Sequence, residues 1–259
     1  MKLHLSEIEP AINHFLAGSD NFAGESMHVR SGNRGGLLRL PLTNGGSVVV
    51  KFWRIRNLKE RIKSFAHLGN GQREWNMHRM IYLAGIDVPE PLAYYRLTSA
   101  VKCEVMAIED LGETIQGLPY LKKIISDGDE TGIVSFEEKL MESTLQFIKL
   151  GILDIDHQLN NFVVDRSGRL TRIDFECAHR YFFRARSRQE YPEMLARLLA
   201  SHVYAVQPDV GRSIRFAERL YTRIDVDEKT KKLVASSVNE KLARQRGKKR
   251  VATKIYLPV

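Results

Sequence analysis

Between residues 25 and 53, short runs rich in β-formers (ESMHVR, LLRLPL and SVVVKFW) are separated by the glycine turns SGNRGG and TNGG. Short β-rich runs punctuated by glycine are the hairpin signal, and they predict three strands. The pattern then changes. QREWNMHRMIYLA, residues 72–84, reads as a helix, Gly85 suits its C-terminal stop, and DVPEP prevents its continuation. Residues 92–98 and 101–108 predict two more strands, and KCEVMAIED runs into Leu111-Gly112, which reads as a linker. Beyond it, SFEEKLMESTLQFIKLG opens with a capping box, Ser135 and Glu138, and repeats Phe136, Leu140, Thr144, Leu145 and Ile148 at helical spacing up to Gly151. Strands are predicted near 162–164 and 170–173, and helices dominate from about residue 189. Strands first and helices later predict an α+β chain of two lobes, residues 1–110 and 111–259.

Composition narrows the class. A chain of 259 residues with 43% hydrophobic and 27% charged residues is an ordinary globular composition and can build two cores. No apolar run approaches the roughly 20 residues that span a bilayer. The start MKLHLSEIEP carries acids where an export signal carries an apolar stretch, so a cytoplasmic location is expected. Cys103 and Cys177 form no CxxC pair and read as small core residues in a reducing compartment. The net charge of +9 is uneven. Residues 51–63 hold six Lys/Arg against one Glu, and residues 239–250 repeat that balance. Such clusters attract anions, whether nucleic acid, acidic lipid headgroups or phosphorylated glycans, unless they are merely solvated helix faces. No zinc pattern and no aromatic-basic RNA signature accompanies them, so a nucleic-acid partner is not expected.

Several residues carry candidate chemistry. Lys51 lies inside the apolar strand VVVKFW, where a lysine either snorkels to an edge or meets an anion. Upstream, SGNRGG with Gly32 and Gly35 is either a plain hairpin turn or a loop that brings backbone N–H groups close to phosphates. Glu74 shares a helix face with Met77, His78 and Ile81, so it points inward and wants a cation; Lys51 is the natural partner, with Glu60 the alternative carboxylate. In LDIDHQLNNFVVDRSGRLTRIDFE, residues 153–176, Asp156 precedes Asn161 by five positions, and Asp174 follows in an Asp-Phe pair. Asp-x4-Asn followed by Asp-Phe is the spacing of a phosphotransferase core. A carboxylate can orient an attacking hydroxyl and take its proton, while an amide oxygen and a second carboxylate suit Mg²⁺, a hard cation. Singly, these residues are also common turn-formers and helix caps.

In this order and on these elements, the chain resembles the protein-kinase-like superfamily. Within it, VVVKFW with RIRNLKERIKSF, QREWNMHRMIYLAGIDVPEPLAYY and GILDIDHQLNNFVVD with GRLTRIDFECA are similar to the lipopolysaccharide kinases that phosphorylate Kdo or heptose of the inner core. The resemblance covers roughly residues 25–180. It implies a bilobal kinase fold, ATP and Mg²⁺ as cofactors, and the core glycan as acceptor. It also implies a cytoplasmic location, peripheral on the inner membrane, with the basic clusters facing anionic lipid. By position, Lys51 would contact the α- and β-phosphates and pair with Glu74; Asp156 would be the catalytic base; Asn161 and Asp174 would hold the metal. MAIEDLGE resembles the inter-lobe hinge, with the backbone of Glu109 and Leu111 meeting adenine and Met106 bordering the pocket.

Two departures stand out. Protein kinases place His-Arg-Asp where this chain has Asp154-Ile155-Asp156, and Asp-Phe-Gly is here Asp174-Phe175-Glu176. His157, on the other side of Asp156, is the candidate compensation for the missing histidine. YPE at 191–193 reads as a helix start, with Pro192 and Glu193 in the first turn, which leaves little room for a peptide platform. HRYFFRARSR, with Arg180, Arg184, Arg186 and Arg188, is a candidate acceptor-side segment. The alternatives are an antibiotic or other small-molecule phosphotransferase, a protein kinase, and a pseudokinase binding module. The oligomeric state is not encoded in any of these features.

Overall fold

A computed structural model describes residues 5–17, 24–29, 35–42, 45–98, 102–183, 185–246 and 257–258. The chain divides into two compact units, Met1–Gly112 and Glu113–Val259.

The first unit is built on an antiparallel sheet in the order β1-β2-β3-β5-β4. The strands are β1 (Glu25–Val29), β2 (Gly35–Pro41), β3 (Ser47–Arg54), β4 (Pro91–Leu97) and β5 (Cys103–Glu109). Strand β3 is central and nearly continuously buried, so its run Val48-Val49-Val50 must satisfy both faces. Val48, Val50 and Phe52 alternate onto one face and pack with Ile8 and Ile12 of α1 (Leu5–Ala17). Lys51 and Trp53 alternate onto the other face, toward α3 (Asn70–Leu83). Helix α1 has no counterpart among the sequence-based expectations, and neither has α2 (Leu58–Phe65).

Helix α3 begins two residues earlier than its apolar pattern suggests. Gly69 at its cap offers no side chain, and Glu104 of β5 supplies the acceptor instead, taking the N–H of Gly71 at 2.8 Å. A Cβ on Gly71 would lie 2.8 Å from both Glu104 and Trp53, so this helix sits on the sheet only because the position is glycine. His78 is buried and donates Nε2–H to the Pro89 carbonyl at 2.7 Å, which pins the loop before β4.

The second unit is mainly helical. It comprises β6 (Thr114–Gln116), α4 (Gly117–Ser126), α5 (Glu130–Lys149), β7 (Ile152–Asp154), β8 (Phe162–Asp165), β9 (Leu170–Arg172), β10 (Ala178–Arg180), α6 (Glu190–Val206), α7 (Val210–Ile224) and α8 (Glu228–Arg246). Two small sheets, β6-β8-β9 and β7-β10, carry the loops, and α4 to α8 enclose the core around Leu140, Phe162, Leu195, Leu199 and Phe216. Helix α5 starts at Glu130 rather than Ser135; Asp129 caps it by accepting the Gly132 N–H at 2.8 Å, and Ser135 is an exposed position inside the helix. The capping-box spelling is there, but a helix starts where the first orphan N–H groups find an acceptor, and Asp129 comes first. Pro192 and Glu193 do fall in the first turn of α6. Cys103 is buried, whereas Cys177 is only partly so, which corrects its reading as a core residue.

Inside this unit, His202 of α6 contacts Glu137 of α5 at 3.0 Å and Ser213 of α7 at 2.8 Å, and stacks on Phe216. Arg219 of α7 completes the pairing of Glu137. One buried polar cluster thus joins three helices.

Burial holds His78 down at about 4 against the ordinary 6.5. A histidine lowered in the folded state lends stability that is complete above its unfolded pKa and declines as pH falls toward the folded one. We therefore expect up to about 3 kcal/mol to be lost between pH 6.5 and 4 through His78. His157 and His202, also lowered mainly by burial, act in the same sense. Urea denaturation at pH 7 and 4.5 should show a smaller acid loss for His78→Gln than for the parent protein.

Candidate functional site

In the first unit, Lys51 Nζ donates to Glu74 Oε1 at 2.7 Å; the lysine side chain is 12% exposed and the glutamate 1%. Strand alternation aims Lys51 at α3, and Glu74 sits on the buried stripe of that helix with His78 and Ile81. Glu60 is engaged elsewhere, accepting the Arg56 N–H at 2.7 Å. Lys51 also lies over the Trp53 ring, 5.4 Å from its centroid. In the β3–β5 register Met106 is the partner of Lys51 and is buried. The glycine turn is less telling. Gly32 lies outside the described residues, and Gly35 opens β2, where a Cβ would stand 2.4 Å from the Phe52 carbonyl oxygen. Strand packing alone accounts for Gly35.

The segment after β5 is held by a residue that sequence reasoning passed over. Asp110 accepts from Ser47 Oγ at 2.6 Å and from the Gly112 N–H at 2.9 Å, and pairs with Arg39 at 2.8 Å. Burial works against its charge, but these donors hold Asp110 below its ordinary pKa. Gly112 follows at φ 68°, a conformation that favours glycine. Glu109 donates its N–H to the Glu90 carbonyl at 2.9 Å. Leu111, next to Asp110, is partly buried.

In the second unit, β7 leads into Asp156 and a 3₁₀ turn, Leu159–Asn161, leads into β8. Asn161 ties three segments together. Its Nδ2 donates to the backbone carbonyl of Asp156 at 2.7 Å and to its Oδ2 at 3.1 Å, while its own carbonyl accepts the Ile173 N–H at 2.9 Å. The β8–β9 hairpin, turning at Asp165–Gly168, pairs Phe162 with Arg172 and so places Asp174 just past the partner of Asn161. With its nitrogen committed to Asp156, the side chain of Asn161 keeps Oδ1 as the end that suits a hard cation, and the Asp174 carboxylate suits the same ion. Asp174 itself adopts φ 64°, left-handed backbone at a non-glycine residue, and Glu176 N–H approaches its Oδ1 at 3.5 Å.

Asp156 has a second support. Arg197 of α6 reaches its Oδ1 through Nε at 3.2 Å and Nη2 at 2.9 Å, and Gln158 Nε2 lies 3.2 and 3.3 Å from its two oxygens. The sequence reading missed Arg197, which lies 41 residues away on another element. In the candidate acceptor segment, Phe182 and Phe183 are largely exposed; Arg180 covers Phe182 and Arg188 covers Tyr181. Arg186 donates to the Asp225 carbonyl at 3.2 Å, and Arg184 lies outside the described residues.

The first departure from the kinase pattern, at Asp154, has a structural explanation. Asp154 is fully buried, pairs with the equally buried guanidinium of Arg172, and accepts the Asp156 N–H at 2.9 Å. Arg172 also donates to His157 Nδ1. With Nδ1 accepting, the neutral ring carries its proton on Nε2 and donates it to Thr144 Oγ1 at 2.9 Å; Thr144 in turn donates to the Leu140 carbonyl at 2.7 Å. Burial, reinforced by Arg172, drives His157 well below its ordinary pKa and keeps it neutral. The guanidinium is enclosed by aromatic rings, 4.2 Å from the Phe147 centroid, 5.2 Å from Phe162 and 5.9 Å from Phe175. Burial pushes Asp154 up against the pull of Arg172, and lowers Arg172 itself. The contact geometry favours the ionised pair, since the carboxylate also accepts a backbone N–H. Asp154 and His157 thus prop the loop together through Arg172. A signal existed in the sequence: an arginine within LTRI, a strand otherwise fit for burial.

Together the units form a protein-kinase-like fold: an antiparallel-sheet unit with a lysine–glutamate pair, then a helical unit bearing the Asp-x4-Asn loop and Asp-Phe turn. Among solved structures, the chain is similar to "WaaP in complex with acyl carrier protein", with a TM-score of 0.57 and 18% identity over 91% of each chain. No family model and no curated protein matches the sequence.

Removing one member of a buried ion pair strands the other. Arg172→Met should therefore cost about 3–5 kcal/mol. Asp154→Asn/Arg172→Met should cost clearly less than the sum of its single changes, because no lone charge remains. Chemical denaturation of the four proteins closes this cycle.

Proposed function

We propose that the protein is an ATP-dependent kinase that phosphorylates a sugar hydroxyl, of Kdo or heptose, in the inner core of lipopolysaccharide. The observation that carries the kinase reading is Asn161, bonded at once to Asp156 and to the backbone that leads into Asp174. One residue thereby ties a candidate base, through its side chain, to the strand that leads into a candidate metal ligand, through its backbone carbonyl. The acceptor assignment rests on the sequence resemblance to the core kinases; the neighbour named WaaP supports it through its fold.

In this reading Lys51, held by Glu74, meets the α- and β-phosphates of ATP. The backbone of Glu109 and Leu111 meets adenine beside Met106. Asn161, through Oδ1, and Asp174 are the residues that would hold Mg²⁺, which when bound would neutralise phosphate charge. The acceptor hydroxyl oxygen forms a bond to the γ-phosphorus as the bond to the β-phosphate oxygen breaks, and ADP leaves. Asp156 orients that hydroxyl and takes its proton. Arg197, Gln158 and Asn161 hold the Asp156 carboxylate in place, so little reorganisation is needed at the moment of transfer. The structural employment of Asp154 accounts for one of the two departures that motivate a binding-only pseudokinase, the other being Glu176.

The same reading makes the protein peripheral on the cytoplasmic face of the inner membrane, with its basic clusters toward anionic lipid at roughly 1 kcal/mol per Lys/Arg near the surface. Among the described residues, no helix is long and apolar enough to cross a membrane.

Incubation with labelled ATP and core lipopolysaccharides of graded truncation tests the proposal, and the shortest acceptor labelled identifies the sugar. Labelling of none of them, with Mg-ATP still bound, would sink the acceptor assignment. Asp156→Ala should lower kcat about 10²–10⁴-fold and spare nucleotide binding. Asp174→Ala should instead abolish the Mg²⁺ dependence of nucleotide binding, measured by calorimetry.

A further inference from the structure

Helix α2 serves neither the sheet core nor the Lys51–Glu74 pair. Of its eight residues only Ser64 is buried. Leu58, Ile62 and Phe65 are 71%, 60% and 83% exposed, and Leu68 just beyond is 61% exposed. The first three stand at i, i+4 and i+7, which is one face of a helix. At about 100° per residue that stripe is flanked by Arg61 on one side and by Lys59 and Lys63 on the other.

The helix also has local means of forming without burial. The Asn57 side chain accepts the Glu60 N–H at 2.9 Å, and Glu60 returns the favour to the Arg56 N–H at 2.7 Å. Beside it lies a cleft of about 1110 Å³ lined by Arg54, Arg56, Lys59 and Lys63. The two carboxylates in that lining, Glu60 and Glu104, both accept backbone N–H groups. The feature is therefore a short, capped, cationic helix showing an apolar stripe outward.

We propose that α2 is an interfacial anchor for an anionic lipid bilayer: Leu58, Ile62, Phe65 and Leu68 enter the acyl boundary, while the flanking cations and the cleft receive headgroup phosphates. Charge complementarity selects this occupant. A second copy would bring like-charged faces together, and a nucleic acid would leave the apolar stripe in water. The inference deepens the peripheral-membrane reading above and rests on it, adding insertion to attraction.

The test uses the full chain and co-sedimentation with phosphatidylcholine vesicles, with and without phosphatidylglycerol. The parent protein should bind only the anionic vesicles, and part of that binding should survive high salt. Leu58→Ser/Ile62→Ser/Phe65→Ser should bind at least about 100-fold more weakly, with the salt-resistant part gone. All three positions are exposed, so the melting temperature should be unchanged. Phe65→Trp should gain fluorescence quenched by brominated acyl chains, above the signal from Trp53 and Trp75. Equal binding by parent and triple variant overturns the anchor while leaving attraction by charge intact. Failure of the parent to bind either vesicle overturns both. Self-association that the triple substitution abolishes, without lipid binding, would instead make the face a contact between copies and overturn the proposal.

Discussion

The loop that carries Asp156 depends on one fully buried guanidinium. Arg172 sits among three phenylalanine rings with Asp154 and His157 as its polar partners. A charge in such a place is costly unless it is paired, and here both Nη atoms are answered while the equally buried Nε has no hydrogen-bond partner. The answers come from both sides of Asp156: Asp154 precedes it and His157 follows it. Any displacement of the loop would strip partners from a buried cation, so the loop is held at its two neighbours, and Asp156 between them can face solvent. The same arrangement reaches α5 through Thr144, and it reaches the Asp-Phe turn through Phe175, which packs against Phe147.

The first unit meets a comparable demand with fewer parts. Lys51 is placed in a buried strand, and its charge is met by Glu74 from the helix laid across that strand. What sets the helix at the right distance is backbone proximity. Gly71 permits close contact with Trp53 and Glu104, and the Glu104 carboxylate replaces the missing cap. Asp110 does similar work after β5, drawing Ser47, Arg39 and Gly112 onto one carboxylate. In each case a buried charge positions chain rather than simply adding stability. Helix α2 is the opposite case, with its apolar residues outward and its cations around them.

Much of this was legible without coordinates. Short β-rich runs, three of them set off by glycine turns, marked the five strands of the first unit, and helical spacing marked the second, because such patterns are a local property of each segment. The meeting of Lys51 and Glu74 could be anticipated because Glu74, read alone, points inward and wants a cation, and a lysine in an apolar strand can supply one. The start of α5 could not be read correctly, since two possible caps lie six residues apart and only the chain's path decides between them. Helix α1 went unseen, because its apolar residues take on meaning only once a sheet face waits for them.

By itself, then, the sequence determined an order of strands before helices, and a set of polar residues at phosphotransferase spacing. Tertiary structure alone decided how Asp154, His157 and Arg197 are used. Asp154 and His157 meet an arginine 18 and 15 positions away, and Arg197 crosses from α6 to Asp156. The physical reason is that the fate of a charge depends on what encloses it. Enclosure is made by segments distant in sequence, so no local pattern around Asp156 could name the residues that hold it.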